Sequence, residues 1–148
     1  MICVIKNEDD YKEVVSIIES IRSEFSIPEI KVIAFYPFKD EPFFLKSRLS
    51  LDFFTVHNLN YYAFANSSLV RNFINESFDI LLDLTEFRVV PLRLILYYSK
   101  SSFKVGCFSE ENKLFYDLMI KTDPGDYKTY ANHATNYLKI FNKEENVS

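Results

Sequence analysis

The stretch FDILLDLTEFRVVPLRLILYYSKSSFKVG, residues 78–106, decides the fold. Phe78 to Leu84 is the most strand-like run in the chain. Its unbroken Ile80-Leu81-Leu82 centre predicts burial on both faces, as in a parallel sheet. Pro91 suits the first turn of a helix, where its missing N–H costs nothing. Leu92, Ile95, Leu96 and Ser99 then recur at helical spacing toward the sheet and leave Arg93 and Lys100 toward solvent. Phe103 to Phe108 is β-rich again. Strand, helix, strand is the unit from which parallel sheets are built.

The same alternation continues on either side. Ile2 to Ile5 is an apolar strand closed by Lys6-Asn7-Glu8-Asp9. Asp10 and Glu13 are spaced like a capping box, with acids where the helix dipole favours them. Val14, Ile17, Ile18, Ile21 and Phe25 carry one helical face as far as Ser26-Ile27-Pro28. Ile30 to Tyr36 is the second strand, EPFFLKSR (residues 41–48) reads as a short helix, and Asp52 to Val56 is the third strand. Asn66-Ser67 offers an N-cap to a short amphipathic helix through Leu69, Val70, Phe73 and Ile74. Phe115 to Ile120 is the last strand. Only about six residues separate it from Phe108, too few for a parallel crossover, so it is expected to be antiparallel or at an edge. After the turn Asp123-Pro124-Gly125, a final helix carries Tyr127, Tyr130, Ala131, Ala134, Tyr137, Leu138 and Phe141 on one stripe.

The expected fold is α/β: a three-layer Rossmann-like sandwich with a mainly parallel sheet of about five to six strands. The strands beginning at Ile2, Ile30, Asp52 and Asp79 should be parallel to one another. One domain spans residues 1–141, and Asn142 to Ser148 is a polar tail.

Composition narrows the function. With 148 residues and 17.5 kDa the chain fits one domain. Its two glycines, Gly106 and Gly125, cannot assemble a Walker loop or a dinucleotide fingerprint. The net charge is −4 and the pI about 5.2, with Lys and Arg scattered among acids, so nucleic acid is not expected as a partner. Phe 15 and Tyr 10, alongside plentiful Ile, Lys and Asn, fit a codon bias and carry no functional weight here. Cys3 and Cys107 sit in apolar runs and read as buried, reduced thiols. His57 and His133 are the two histidines, and no CxxC, HxxxH or HxH spacing occurs, so neither metal nor cofactor is expected. No apolar run approaches the ~20 residues of a membrane span, and the start is too short in apolar residues for a signal peptide. The cytoplasm is the expected compartment.

In a parallel sheet the ligand-facing side is the carboxyl edge. The residues placed there are Lys39 in the loop from Tyr36, His57 and Asn58 after the third strand, and Asp83, Thr85 and Glu86 after the fourth. These are the candidate ligand- or partner-binding residues. Asp83 has a second reading, as an acceptor for N–H groups around Thr85 to Phe87 that fixes the turn. No second carboxylate is spaced to form an acid/base pair with it, and GxSxG is absent, so no residue is assigned a catalytic role.

Two stretches carry a family resemblance. One is FDILLDLT, then PLRLILYYSKSSFKVG, then NKLFYDLMI; the other is LDFFTVHNLNYYAF followed by a capped helix ending in NFINESFDILLDL. The combination resembles the bacterial family known as domain of unknown function 6913, over Ile2 to Phe141. That family often carries a basic helical segment ahead of the first strand, whereas this sequence starts at the strand. The resemblance implies no activity. The run Asp79 to Leu84, a helix, and Phe103-Lys104-Val105-Gly106 is also similar, more weakly, to the N-terminal domain of heptosyltransferase-like glycosyltransferases. That likeness implies a fold, while the glycine-aspartate loop those enzymes place after their first strand is replaced here by Lys6-Asn7-Glu8-Asp9. The expected function is that of a non-catalytic binding or adaptor protein with a protein partner. The alternative is a small-ligand binder or enzyme acting on a sugar- or nucleotide-like molecule at the carboxyl edge.

Overall fold

The computed structural model describes residues 1–27, 29–47, 50–86, 88–123 and 125–145, with side chains described through Ile140. Six strands, β1 (Ile2–Val4), β2 (Val32–Tyr36), β3 (Leu51–Thr55), β4 (Ile80–Leu82), β5 (Phe103–Cys107) and β6 (Leu118–Ile120), alternate with four helices. The helices are α1 (Glu8–Phe25), α2 (Ser68–Asn75), α3 (Val90–Tyr98) and α4 (Tyr127–Glu145).

The strands form two three-stranded parallel sheets, ordered β1-β2-β3 and β4-β5-β6. This corrects the expectation of one sheet of five to six strands. Between β1 and β4 the pairing shrinks to a parallel bridge of Ile2 with Asp83 and a bond from Leu84 N–H to the Ile2 carbonyl, 3.0 Å. The cause is stagger: β4 ends at Leu82, where β1 has only begun. The parallel direction expected of these strands holds in every pairing, and β6 is also parallel, lying at the edge beside β5. The antiparallel option for β6 is therefore corrected. Both flanking strands are shorter than their apolar runs, so the crossover has ten residues, 108–117, and a 3-10 turn at Glu110–Asn112 reverses the chain within it.

Side chains along the strands alternate between two cores, as the pleat requires. Cys3, Ala34, Tyr36, Leu82 and Val105 pack with Val14, Ile17 and Ile21 of α1 and Tyr130, Ala131 and Ala134 of α4. Ile2, Ile33, Phe35, Phe54 and Leu81 pack with Val70, Phe73 and Ile74 of α2 and Leu92, Ile95 and Leu96 of α3. Each helix pair thus covers one side of the strands.

Helix ends follow local chemistry. The cap of α1 is Asn7, not Asp10: the Asn7 side chain accepts from Asp10 N–H at 2.9 Å, and the Asp10 carboxylate accepts from Lys6 N–H at 2.8 Å. The cap lies three residues earlier than its sequence reading because Asn accepts as well as Asp does. Ser26, with φ 50°, ends the helix in the left-handed conformation; Pro28 lies outside the described residues. Ser67 caps α2 through Val70 N–H, and Pro91 stands in the first turn of α3, both as expected. Residues 41–47 form a loop with a turn at Phe43-Phe44 instead of the expected helix, and Arg48 lies outside the described residues. Helix α4 continues to Glu145, into the stretch read as a tail.

Candidate functional site

The carboxyl end of β4 holds Asp83, the one buried charged side chain among the described residues. Asp83 is 1% exposed. Its backbone N–H donates to the Val105 carbonyl (2.9 Å), and its own carbonyl accepts from the Tyr130 hydroxyl (2.8 Å). One carboxylate oxygen, Oδ1, accepts from Thr85 N–H (2.8 Å) and from the Thr85 hydroxyl (2.6 Å); the other, Oδ2, accepts from the Tyr116 hydroxyl at 2.5 Å. Burial pushes the Asp83 carboxyl above its ordinary value, against the pull of those hydrogen bonds and of the Arg93 charge. Burial first, and then the Asp83 charge, hold Tyr116 far above the ordinary phenol value, so it remains a donor.

Tyr116 reaches Asp83 by lying flat over Gly106. A Cβ at Gly106 would meet the Tyr116 ring at 2.3 Å, so this strand position accepts no side chain while the ring stays in place. Arg93 sits beside the pair, its guanidinium 4.9 Å from the Phe115 ring centroid and 5.9 Å from that of Tyr116, and donates to Asn112 Oδ1. Buried Asn112 in turn donates to the Cys107 carbonyl at 2.9 Å. Arg93, read from the sequence as solvent-facing, is thus half-buried and partnered: the β5–β6 crossover folds back over α3, which helical spacing alone does not show.

The other candidate residues are dispersed. Glu86 accepts from Gly125 N–H and ties the β4 loop to the turn before α4. His57 and Asn58 are exposed in a 3-10 turn after β3, where Asn58 Oδ1 accepts from Thr55 N–H (2.8 Å) and Thr55 Oγ1 accepts from His57 N–H (3.2 Å). Strands β1 and β2 stand between them and Asp83, roughly 14 Å across the strands at ordinary spacing, and the register places His57 five residues further along the chain than Asp52, which lies level with Asp83. Lys39 is exposed in the loop after β2. Only Asp83 and Thr85 are brought into contact, and Phe87 lies outside the described residues. The structural partners Tyr116, Tyr130, Arg93 and Asn112 went unread. The available signal was Gly106, since a glycine inside a strand marks a close approach.

Two cavities border the sheet, one of them near this edge. One of ≈ 20 Å³, lined by Cys3, Asp10, Glu13, Leu84 and Tyr127, has room for one water. Burial raises the Glu13 carboxyl there, helped by Asp10 and Asp126. A larger one, ≈ 180 Å³, opens at the amino edge between β2, β3 and α2, lined by Lys31, Ser50, Asp52, Asn72, Phe73 and Glu76. Lys31 Nζ bridges Glu76 (2.5 Å) and Glu29 (3.3 Å) at its rim. Among the described residues no three His, Cys, Asp or Glu side chains converge as metal ligands, and no helix is long and apolar enough to cross a membrane. Both cysteines are free; burial pushes each thiol up to about 12, although Cys107 is only half-buried.

Fold and site define an α/β protein of two parallel three-stranded sheets whose carboxyl edge is closed by a buried carboxylate network. A family model described as a family of unknown function (DUF6913) matches residues 1–141, and the chain belongs to that family. Searches of curated proteins and of solved structures returned no match, so nothing there supports the likeness to glycosyltransferases.

Proposed function

We propose that this chain is a cytoplasmic, non-catalytic binding or adaptor domain with a Rossmann-like core. The core reading is supported by the Ile2–Asp83 bridge, which brings the two sheets together in the all-parallel order β3-β2-β1-β4-β5-β6. One domain over residues 1–141 agrees with the two continuous cores, and two reduced thiols suit the cytoplasm.

The observation that carries the binding reading is the state of Asp83. Both of its oxygens are occupied by Thr85 and Tyr116, so the polar group best placed for a ligand is spent on holding the turn. The two cavities described also fall below the roughly 300 Å³ at which small-molecule sites begin. Lys39, His57 and Asn58 remain available to a partner at the same edge.

Affinity purification of the tagged native protein should retain a partner in stoichiometric amount. In parallel, nucleotides and sugar nucleotides should leave the melting temperature of the purified chain unchanged. A ligand at a hundredfold excess over its Kd would add about 2.7 kcal/mol, or roughly 5–10 °C for a chain of this size. A saturable rise of that order would replace this reading with that of a small-ligand binder or enzyme acting on such molecules.

A further inference from the structure

The stretches that build α2, α3 and the loop between β3 and α2 differ in charge from the rest of the chain. Residues 53–75 and 87–109 contain these helices and the loop between β3 and α2, and neither stretch holds an Asp or Glu. They hold Arg71, Arg88, Arg93, Lys100 and Lys104, a net charge of +5. The remaining chain carries all 21 acids against 12 of the 17 basic residues, net −9, and the two together make −4. Lys and Arg are therefore not evenly scattered among acids. Among the described residues no ion pair involves Arg71, Arg88 or Lys100, and all three are exposed. Asp79 and Glu76 stand at the rim, where Lys100 N–H meets the Ile74 carbonyl, and Glu76 is taken by Lys31; the crossover that folds over α3 adds Glu110, which is taken by Lys113, and Glu111.

The same face displays tyrosines on a fixed frame. Tyr61 is 97% exposed and Tyr62 79%, their rings edge to face with centroids 5.5 Å apart. The hairpin beneath them is closed by a Leu59–Ala65 bridge and by Asn60, whose Oδ1 accepts from Tyr62 N–H (2.9 Å) and Phe64 N–H (3.1 Å). Ala63 holds φ 58°, a conformation that disfavours a residue with a Cβ, so the neighbouring bonds outweigh the local preference. Leu59 and Phe64 pack inward on the α2/α3 core, and Phe64 meets the Tyr98 ring at 6.0 Å. That contact joins the hairpin to Tyr97 and Tyr98, both more than half exposed, at the end of α3.

We propose that this face docks an acidic protein segment bearing aromatic or apolar side chains. Tyr61, Tyr62, Tyr97 and Tyr98 take the apolar groups, and Arg71, Arg88 and Lys100 take the carboxylates. The proposal rests on the binding-domain reading and adds the partner's chemistry. Tyrosines on a set backbone lose little freedom on binding, and Tyr with Arg is the pairing that dominates protein interfaces. Charge decides against nucleic acid: three accessible cations neutralise few phosphates, and a polyanion running past the face meets the net −9 of the remaining chain. A short acidic segment ends where the favourable field ends.

The test is fluorescence anisotropy with three labelled probes: a glutamate–tyrosine copolymer, poly-glutamate and a short oligo(dT). The copolymer should bind most tightly and weaken as salt rises. Tyr61→Ser with Tyr62→Ser, and separately Arg71→Glu with Lys100→Glu, should each weaken it about tenfold or more, the size of a modest interface hot spot. Because these side chains are exposed, the melting temperature should stay put. Lys12→Glu on α1 should change nothing. The proposal is overturned if the copolymer does not bind at low salt, if both double variants bind it as wild type does, or if oligo(dT) binds more tightly. Such a failure leaves the binding-domain reading standing, since that reading is decided by the partner and small-ligand measurements.

Discussion

Replacing Tyr116 by Phe keeps the ring that lies over Gly106 and deletes the hydroxyl that donates to Asp83 Oδ2. Asp83 is 1% exposed, so water has no ready access to the orphaned oxygen. A buried acceptor left unpaired costs about 1–3 kcal/mol, toward the upper end when it is charged. With a urea m-value of about 2 kcal/mol/M, the unfolding midpoint should fall by about 0.5–1.5 M at pH 7. The loss should also depend on pH. Burial raises the folded-state pKa of Asp83 above the ordinary carboxyl value, so in a window opening there the folded state binds the proton more tightly. Asp83's contribution to stability therefore falls as pH rises through that window. Removing the Tyr116 donor raises the folded value further, so the variant's deficit is largest above the window and shrinks as pH falls toward about 3.5, where Asp83 is increasingly protonated in both proteins. Urea titrations at pH 7 and near pH 3.5 measure both quantities. A midpoint shift under about 0.2 M at pH 7 refutes the reasoning, and so does a deficit of the same size at both pH values.

Three other outcomes follow from the same geometry. Gly106→Ala places a methyl 2.3 Å from the Tyr116 ring and should cost about 1–3 kcal/mol, less than additively with Tyr116→Phe; a double-mutant cycle by urea unfolding checks it. Asn7→Ala removes the cap of α1 and should cost about 1 kcal/mol, read from the denaturation midpoint, with Asp10→Ala costing a similar amount through its bond to Lys6 N–H. Since burial pushes Cys3 and Cys107 up to about 12, a disulfide reagent at about pH 8 should label the native protein slowly and the urea-unfolded protein at once; rapid native labelling of Cys3 would contradict its burial.

Element types were legible because local rules and tertiary packing agree there. Ile2 to Val4, Val32 to Tyr36 and Leu81-Leu82 are apolar runs that only a doubly covered strand buries, and the helices between them announce parallel pairing. Ser67 and Pro91 mark their helix starts by chemistry that acts within a few residues. The short helix read into EPFFLKSR failed because its apolar residues are shared between the α1/α4 core, where Leu45 and Phe44 pack, and solvent, where Phe43 stands.

The sequence by itself determined the alternation of strands and helices, the parallel direction of the first four strands, and membership in the family through its motifs, and it offered the turn-fixing use of Asp83 as one of two readings. Tertiary structure decided the rest, because it depends on groups far apart in the chain. The bond between Asp83 and Tyr116 spans 33 residues and that between Asp83 and Tyr130 spans 47, so no local spacing encodes either. The division into two sheets follows from where Ile2 meets Asp83, a register set by both cores at once. Composition likewise hid the cationic, tyrosine-bearing face: a net charge of −4 sums over the whole chain, whereas a partner meets only the side that folding turns toward it.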